Sequence, residues 1–334
     1  MNILVTGAAG YIGSTCTEIL LSRGFRVVAL DNLQEGHREA VPAEASFVQA
    51  DLANRPQLED VFASHRIDAV MHFAGEALVA KSMREPSTFY AANVACGVNL
   101  LDAMVRRGVR KFIFSSTAAT YGEPSIVAIP EDHPQNPINP YGKSKLVFER
   151  ILSDYAGYTG LQYAVLRYFN AAGASAERGE AHRNETHLIP RVLDAAAGAL
   201  PFVEVFGADY PTPDGTCVRD YIHILDIADA HIRALEALDR ISGNAFNVGN
   251  SRGYSILEVI EAAQRVTGRE IPRKLSPRRP GDPAVLVASA EKLRRLLGWE
   301  PVNSSLENIL ESAWSWRQRH PRGYDRARAS DAAR

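Results

Sequence analysis

Tyr141 and Lys145, in the run Tyr141-Gly142-Lys143-Ser144-Lys145, stand four residues apart and share one face of a helix. A phenol with a pKa of about 10 is a poor base at neutral pH. An ammonium beside it favours the phenolate and brings it into range for taking a proton from a substrate hydroxyl. Most such pairs are a half-buried tyrosine and a solvated lysine, so the surroundings must decide. Asn139 and Pro140 fit a helix start, which puts Tyr141 in the first turn. Thr117 closes the run Phe114-Ser115-Ser116-Thr117 and offers a hydroxyl just past a strand end, a place where loop caps are also common.

A Gly-rich turn near residue 7 supplies the context. An apolar run over 2–6 precedes Gly7-Ala8-Ala9-Gly10-Tyr11-Ile12-Gly13, and Ile12, Cys16, Ile19 and Leu20 then recur at helical spacing. Strand, loop and helix in that order offer free N–H groups and a positive dipole end to a pyrophosphate. The spacing is G-x-x-G-x-x-G rather than G-x-G-x-x-G. A second strand pattern over 26–30 ends on Asp31, about twenty residues past the glycines, where a carboxylate binds the adenosine ribose diol and repels a 2′-phosphate. NAD is therefore expected rather than NADP, with Arg38 solvated. Asp51 and Leu52 end a run over 47–52 that falls near the adenine. Phe73, Ala74 and Gly75 end the next, where small residues let the cofactor pass close.

The 334 residues can hold one large domain or two unequal ones. Hydrophobic content of 46% and charged content of 23% are those of a soluble globular protein, and a net charge of −2 leaves no footprint for nucleic acid. Apolar runs read as too short for a membrane and no leader is evident, so a cytoplasmic protein without membrane partners is expected. Cys16, Cys96 and Cys217 fit no metal or redox motif, and no metal is expected. Helix patterns over 58–64, 89–107 and 141–155 alternate with strand patterns such as 112–115 and 163–167. That alternation predicts an α/β fold, a doubly wound parallel sheet of Rossmann type, over residues 1–170. Residues 171–320 change texture, with a polar loop over 173–187, a helix over 189–199 and a Pro/Gly/Asp loop over 207–215. They read as a smaller mixed α/β lobe that binds substrate, some segments of which can return to the sheet. Residues 321–334 read as a flexible tail.

The set Thr6-Gly7-x-x-Gly10-Tyr11-Ile12-Gly13, Asp31-Asn32, His72-Phe73-Ala74, Ser115-Ser116-Thr117, Tyr141 to Lys145 and Arg167-Tyr168-Phe169-Asn170 resembles the extended short-chain dehydrogenase/reductases. Within them, Glu185-Thr186-His187-Leu188-Ile189-Pro190, Val218-Arg219-Asp220-Tyr221 and Arg278-Arg279-Pro280-Gly281-Asp282 make the chain similar to the UDP-glucose 4-epimerase family over about residues 1–320. The resemblance implies Tyr141 as acid/base, Lys145 on the nicotinamide ribose and Thr117 at the reacting oxygen. It implies NAD contacts at Gly7, Gly10, Tyr11, Ile12, Gly13, Asp31, Asn32, Asp51, Leu52, Phe73, Ala74, Gly75 and Phe169. The UDP-sugar falls to Asn170, His187, Leu188, Val205, Phe206, Arg219, Arg279 and Asp282, and arginine forks suit a diphosphate. The implied reaction interconverts UDP-galactose and UDP-glucose. Tyr141 takes the 4′-hydroxyl proton as hydride leaves carbon 4′, the keto sugar turns over, and hydride returns to the other face. A homodimer through the helices over 89–107 and 141–155 is also implied.

Three positions depart from the family pattern. Ala77 stands where a lysine is common, with Lys81 a turn further on. Ala92-Asn93 replaces an Asn pair, with Asn93 expected to serve packing. Val285 replaces a bulky aromatic beside the sugar 2-position, which leaves room for an N-acetyl group. The alternatives are a 4-epimerase of N-acetylated UDP-hexoses or UDP-pentoses, a nucleotide-sugar dehydratase, and a non-catalytic NAD-binding protein. Ala118-Ala119 after Thr117 supplies no acid for elimination, and intact Tyr141 and Lys145 argue for catalysis.

Overall fold

The computed structural model describes residues 1–279 and 282–324. Pro280 and Gly281 of the arginine motif, and residues 325–334 of the expected tail, lie outside the described residues. The strands are β1 Asn2–Thr6, β2 Arg26–Asp31, β3 Ser46–Gln49, β4 Ala69–His72, β5 Lys111–Thr117, β6 Gln162–Tyr168, β7 Asn170–Ala172, β8 Val203–Phe206, β9 Val218–His223, β10 Asn244–Val248, β11 Gly253–Ser255, β12 Arg273–Ser276 and β13 Val285–Leu286. The helices are α1 Tyr11–Ser22, α2 Arg55–Ser64, α3 Val79–Ser82, α4 Pro86–Tyr90, α5 Cys96–Arg106, α6 Pro140–Thr159, α7 Leu188–Ala196, α8 Ile224–Glu236, α9 Leu238–Ile241, α10 Ile256–Thr267, α11 Glu291–Leu297 and α12 Leu306–Arg319.

Seven parallel strands run in the order β10-β6-β5-β4-β1-β2-β3. Successive side chains of a strand point to opposite faces, and both faces of this sheet are covered. Ile3 and Val5 accordingly enter the core under α1 and α8, while Leu4 enters the one under α2, α5 and α6. The strand order reverses between β1 and β4, so the crevice beyond their carboxyl ends is where a dinucleotide binds in such sheets.

The boundary at residue 170 falls just past β6. The C-terminal part then gives back α8, which packs against α1, and β10, which pairs with β6. The lobe has its own core under α7, α10 and α12. Its strands are mixed: β7 and β13 pair parallel to β9, β11 antiparallel to it, and β12 parallel to β8.

Two expectations are corrected. Residues 86–106 form a helix that is long and apolar enough to cross a membrane by length and composition, contrary to the reading of the runs as too short. Its Phe89, Leu100, Leu101 and Met104 are buried in the protein core. At the other end, residues 321–324 are not a loose tail. Tyr324 is buried against Trp316, Ala40 and Ala174, and its hydroxyl accepts a hydrogen bond from Gly179 N at 3.1 Å.

Candidate active site

Gly7 follows β1 with φ of +71°, a left-handed conformation. A methyl group there would lie 2.6 Å from Ala74 N, so only glycine lets the β1 and β4 ends close up as they do. Gly10 precedes the first turn of α1, and Ile12 and Gly13 lie within it. Asp31 ends β2 almost fully buried. Its Oδ2 accepts from Ala9 N at 2.9 Å and its Oδ1 from Leu33 N at 2.8 Å. Each oxygen keeps a lone pair for a diol. Asn32 donates to Asp51 at 3.1 Å at the neighbouring strand ends, and Arg38 is exposed, as expected, and stacks over the Phe47 ring at 4.3 Å. The Leu52 side chain packs into the core under α2, α5 and α6. Glycine turn, helix N-terminus and terminal acid fit a dinucleotide carrying a free ribose diol.

Tyr141 sits in the first turn of α6, where Asn139 accepts from Gly142 N at 2.8 Å and Pro140 occupies the first helical turn. A methyl at Gly142 would meet Ala119 O at 2.4 Å. The absent side chain lets α6 begin against the turn that carries Thr117, and this contact brings phenol and hydroxyl together. Thr117 also caps that turn, accepting from Ala119 N at 3.1 Å. Burial pushes the Tyr141 phenol above its ordinary value, and the Thr117 hydroxyl works against the rise.

Lys145 is buried, donates to Ser115 O at 2.9 Å and lies 5.0 Å from the Phe114 ring centroid. Burial pulls it down to about 8, while Glu149, one turn along α6, works in the other direction. The expected lowering of the phenol by Lys145 is not what the protein alone displays. Desolvation of Tyr141 dominates, and the ammonium is directed at a backbone carbonyl.

Asn93, Lys81 and His72 surround this pair. Asn93 lies in a π-helical turn, Ala91–Ala95, between α4 and α5. Its Oδ1 accepts from Glu76 N at 2.8 Å, and its Nδ2 donates to Glu76 O at 3.0 Å and Ser144 Oγ at 2.9 Å. It thus clamps the loop after Gly75 to the catalytic helix. Lys81 reaches back to Glu76 Oε1 at 3.0 Å, on the same loop. His72 lies beneath, bonded to Thr6 Oγ1 at 2.7 Å. Burial, then the Lys145 charge, holds it neutral with a pKa near 3.

Phe169 follows β6 and packs with Ala118, Tyr121, Ile129 and Leu286, which ties the Thr117 turn to the lobe. Asn170 donates to Asp220 O at 2.9 Å. Arg219 is largely buried, donates to Pro283 O at 2.8 Å and lies 3.5 Å from Asp282 Oδ1. Arg279 covers the Phe206 ring at 3.7 Å. In β8 alternate side chains go in and out. Val205 goes into the lobe core, so the expected ligand contact does not come from its side chain, while Phe206 faces outward. Leu188 opens α7. The His187 imidazole lies 3.0 Å from Glu180 and 2.8 Å from Glu185.

The NAD dependent epimerase/dehydratase family matches residues 3–249. The UDP-glucose 4-epimerase of Lacticaseibacillus casei is 48% identical over 97% of this chain and 99% of its own length. That of Corynebacterium glutamicum is 47% identical over 95% of each. Among solved structures, the Brucella ovis UDP-glucose 4-epimerase in complex with NAD aligns with a TM-score of 0.91 and 46% identity, covering 94% of this chain and 98% of that one. The Bifidobacterium longum enzyme in complex with NAD+ and UDP aligns at 0.92 and 37%, covering 97% and 100%. The chain belongs to the NAD dependent epimerase/dehydratase family and, within it, to the UDP-glucose 4-epimerases.

Proposed function

We infer that this chain interconverts UDP-galactose and UDP-glucose through transient oxidation at carbon 4 of the sugar, with NAD as its cofactor and Tyr141 as acid/base. The observation that carries the reading is the meeting of Tyr141, Thr117 and Lys145 beyond the ends of β4 and β5, beside the Gly7 turn. NAD, held through Asp31 and Lys145, would supply the hydride acceptor and donor for carbon 4.

The protein's part is to bind, orient and move one proton. Tyr141 receives the 4-hydroxyl proton and later returns it, so no net proton is consumed. Thr117 shares the hydrogen bond at that oxygen. Lys145 orients the nicotinamide ribose, and Asp31 the adenosine ribose. Arg219 and Arg279 hold the diphosphate, so the oxidised sugar can turn over without leaving. The buried Lys145 and half-buried Tyr141 limit the access of water to the reacting carbon.

The test is purified protein with UDP-galactose and no added NAD. UDP-glucose should form, and Tyr141→Phe should lower turnover by about 10²–10⁴-fold with the bound NAD retained. Product that requires stoichiometric free NAD would point to a net dehydrogenase. The same reading includes a cytoplasmic homodimer. Tyr90, Val147 and Tyr158 are exposed on α4 and α6, and all three cysteines are free thiols. Light scattering that gives a monomer mass would reject the dimer.

A further inference from the structure

The sequence reading places no metal on this chain, yet Glu180, His182, Glu185 and His187 bring one ligand atom each within 4.8 Å of one another. The four lie in the loop that joins β7 to α7. Nδ1 of His182 is 3.2 Å from Glu180 Oε1 and 3.1 Å from Glu185 Oε2. Nδ1 of His187 is 3.0 Å from the same Glu180 Oε1 and 2.8 Å from Glu185 Oε1. A ring nitrogen carries one N–H with one direction. Hydrogen bonding therefore accounts well for one contact per imidazole, while each Nδ1 faces two carboxylates.

Four atoms gathered round one point are what a tetrahedral cation requires. Legs of about 2.0–2.1 Å give ligand-to-ligand edges of roughly 3.3 Å; the four nitrogen–oxygen separations here are 2.8–3.2 Å, shared over both Glu185 oxygens, so binding needs one Glu185 oxygen to turn inward and the set, now within 4.8 Å, to draw in slightly. Two imidazole nitrogens and two carboxylate oxygens suit Zn²⁺, and the carboxylates neutralise a divalent charge. The cluster opens on a cavity of about 450 Å³, which gives an ion a way in. Arg183, the nearest arginine in sequence, is turned away to Gly36 O at 3.4 Å.

We propose that Glu180, His182, Glu185 and His187 form a structural Zn²⁺ site that fastens the loop between β7 and α7 beside the glycine turn. His182 meets the Tyr11 ring edge-on at 6.3 Å, and the Tyr11 hydroxyl donates to Gly173 O at 2.6 Å, so the first residue of the loop and its histidine segment are both joined to the start of α1. The site is distinct from Tyr141 and takes no part in proton or hydride transfer.

The experiment strips purified, NAD-containing protein with a chelator and titrates Zn²⁺ by calorimetry, with elemental analysis of the dialysed product. Wild type should take one equivalent and gain thermal stability. Glu180→Gln and His182→Gln should each weaken binding by more than the 10–100-fold typical of a change outside the ligand set, and lose the thermal gain. Cys96→Ser should bind as wild type does. Bound NAD, read by absorbance, reports that each variant is folded. Co²⁺-loaded wild type should give the visible bands of a four-coordinate nitrogen and oxygen site without a thiolate band, whatever the variants do. No uptake by wild type, equal uptake by His182→Gln, or loss of uptake in Cys96→Ser would overturn the assignment.

Discussion

The Glu149 carboxylate is held by the Arg167 guanidinium through two nitrogens, Nη2 at 2.6 Å and Nε at 3.1 Å, with Ser116 Oγ donating to it at 2.5 Å. Both side chains are under a tenth exposed, and Glu149 stands one turn after Lys145. The pair therefore fixes the charge that the catalytic lysine meets along its own helix.

A pH dependence follows from this arrangement. Lys145 is pulled down to about 8, so its positive charge is lost as pH rises through that value. Turnover should fall on an alkaline limb near pH 8. Glu149→Gln removes the group that opposes the depression, so the limb should move to lower pH. The linked stability has the opposite slope. The unfolded lysine holds its proton to about 10.4, so between about 8 and 10.4 the unfolded chain binds more protons, and the penalty that burying this charge places on folding is relieved as pH rises. A limb that stays in place in Glu149→Gln would refute the coupling.

Glu149→Gln should also reduce stability by about 3–5 kcal/mol, because Arg167 is left buried without its counter-charge. Replacing both partners by apolar residues of similar volume should cost less than either single change. Denaturant unfolding of the singles and the double measures this.

Thr117→Val should act on chemistry and on the fold. Without its hydroxyl, nothing named here opposes the burial of the Tyr141 phenol, and turnover should drop roughly 10–100-fold. The turn also loses its cap on Ala119, which costs about 1 kcal/mol. Unchanged kcat would remove Thr117 from the reacting oxygen.

Gly7→Ala places a methyl 2.6 Å from Ala74 N at φ of +71°. It should destabilise the protein by about 1–3 kcal/mol and yield preparations with little bound NAD. A normal absorbance ratio for bound cofactor would refute this.

Asn93→Ala removes three hydrogen bonds at a buried site and should cost about 1–3 kcal/mol. It should also loosen Glu76 from Ser144 and weaken NAD retention, seen as cofactor release on dilution.

Much of the fold was legible because both sheet faces are covered. Runs such as residues 3–5 and 112–114 are apolar throughout, and glycine, asparagine and proline mark the starts of α1 and α6. The Tyr141 and Lys145 pair was legible from type and spacing, and Thr117 from the family resemblance. The inward facing of the Val205 and Leu52 side chains was not, because strand alternation and the turn after a strand decide which way a side chain faces. The π turn at Asn93 left no mark, since its residues continue an ordinary helical pattern. The Glu-x-His-x-x-Glu-x-His spacing over 180–187 was readable, but it fell in a stretch whose composition suggested only a loop.

The return of β10 to the edge beside β6 limits how this chain can be divided. A fragment ending at residue 170 would leave the Gln162–Tyr168 strand with an open flank and strip the α8 cover from Val5 and Leu166. Such a fragment invites strand-to-strand aggregation. A chimera that exchanges substrate preference between relatives should therefore take its sugar-binding segments from either side of residues 224–248 and leave that stretch with the nucleotide half.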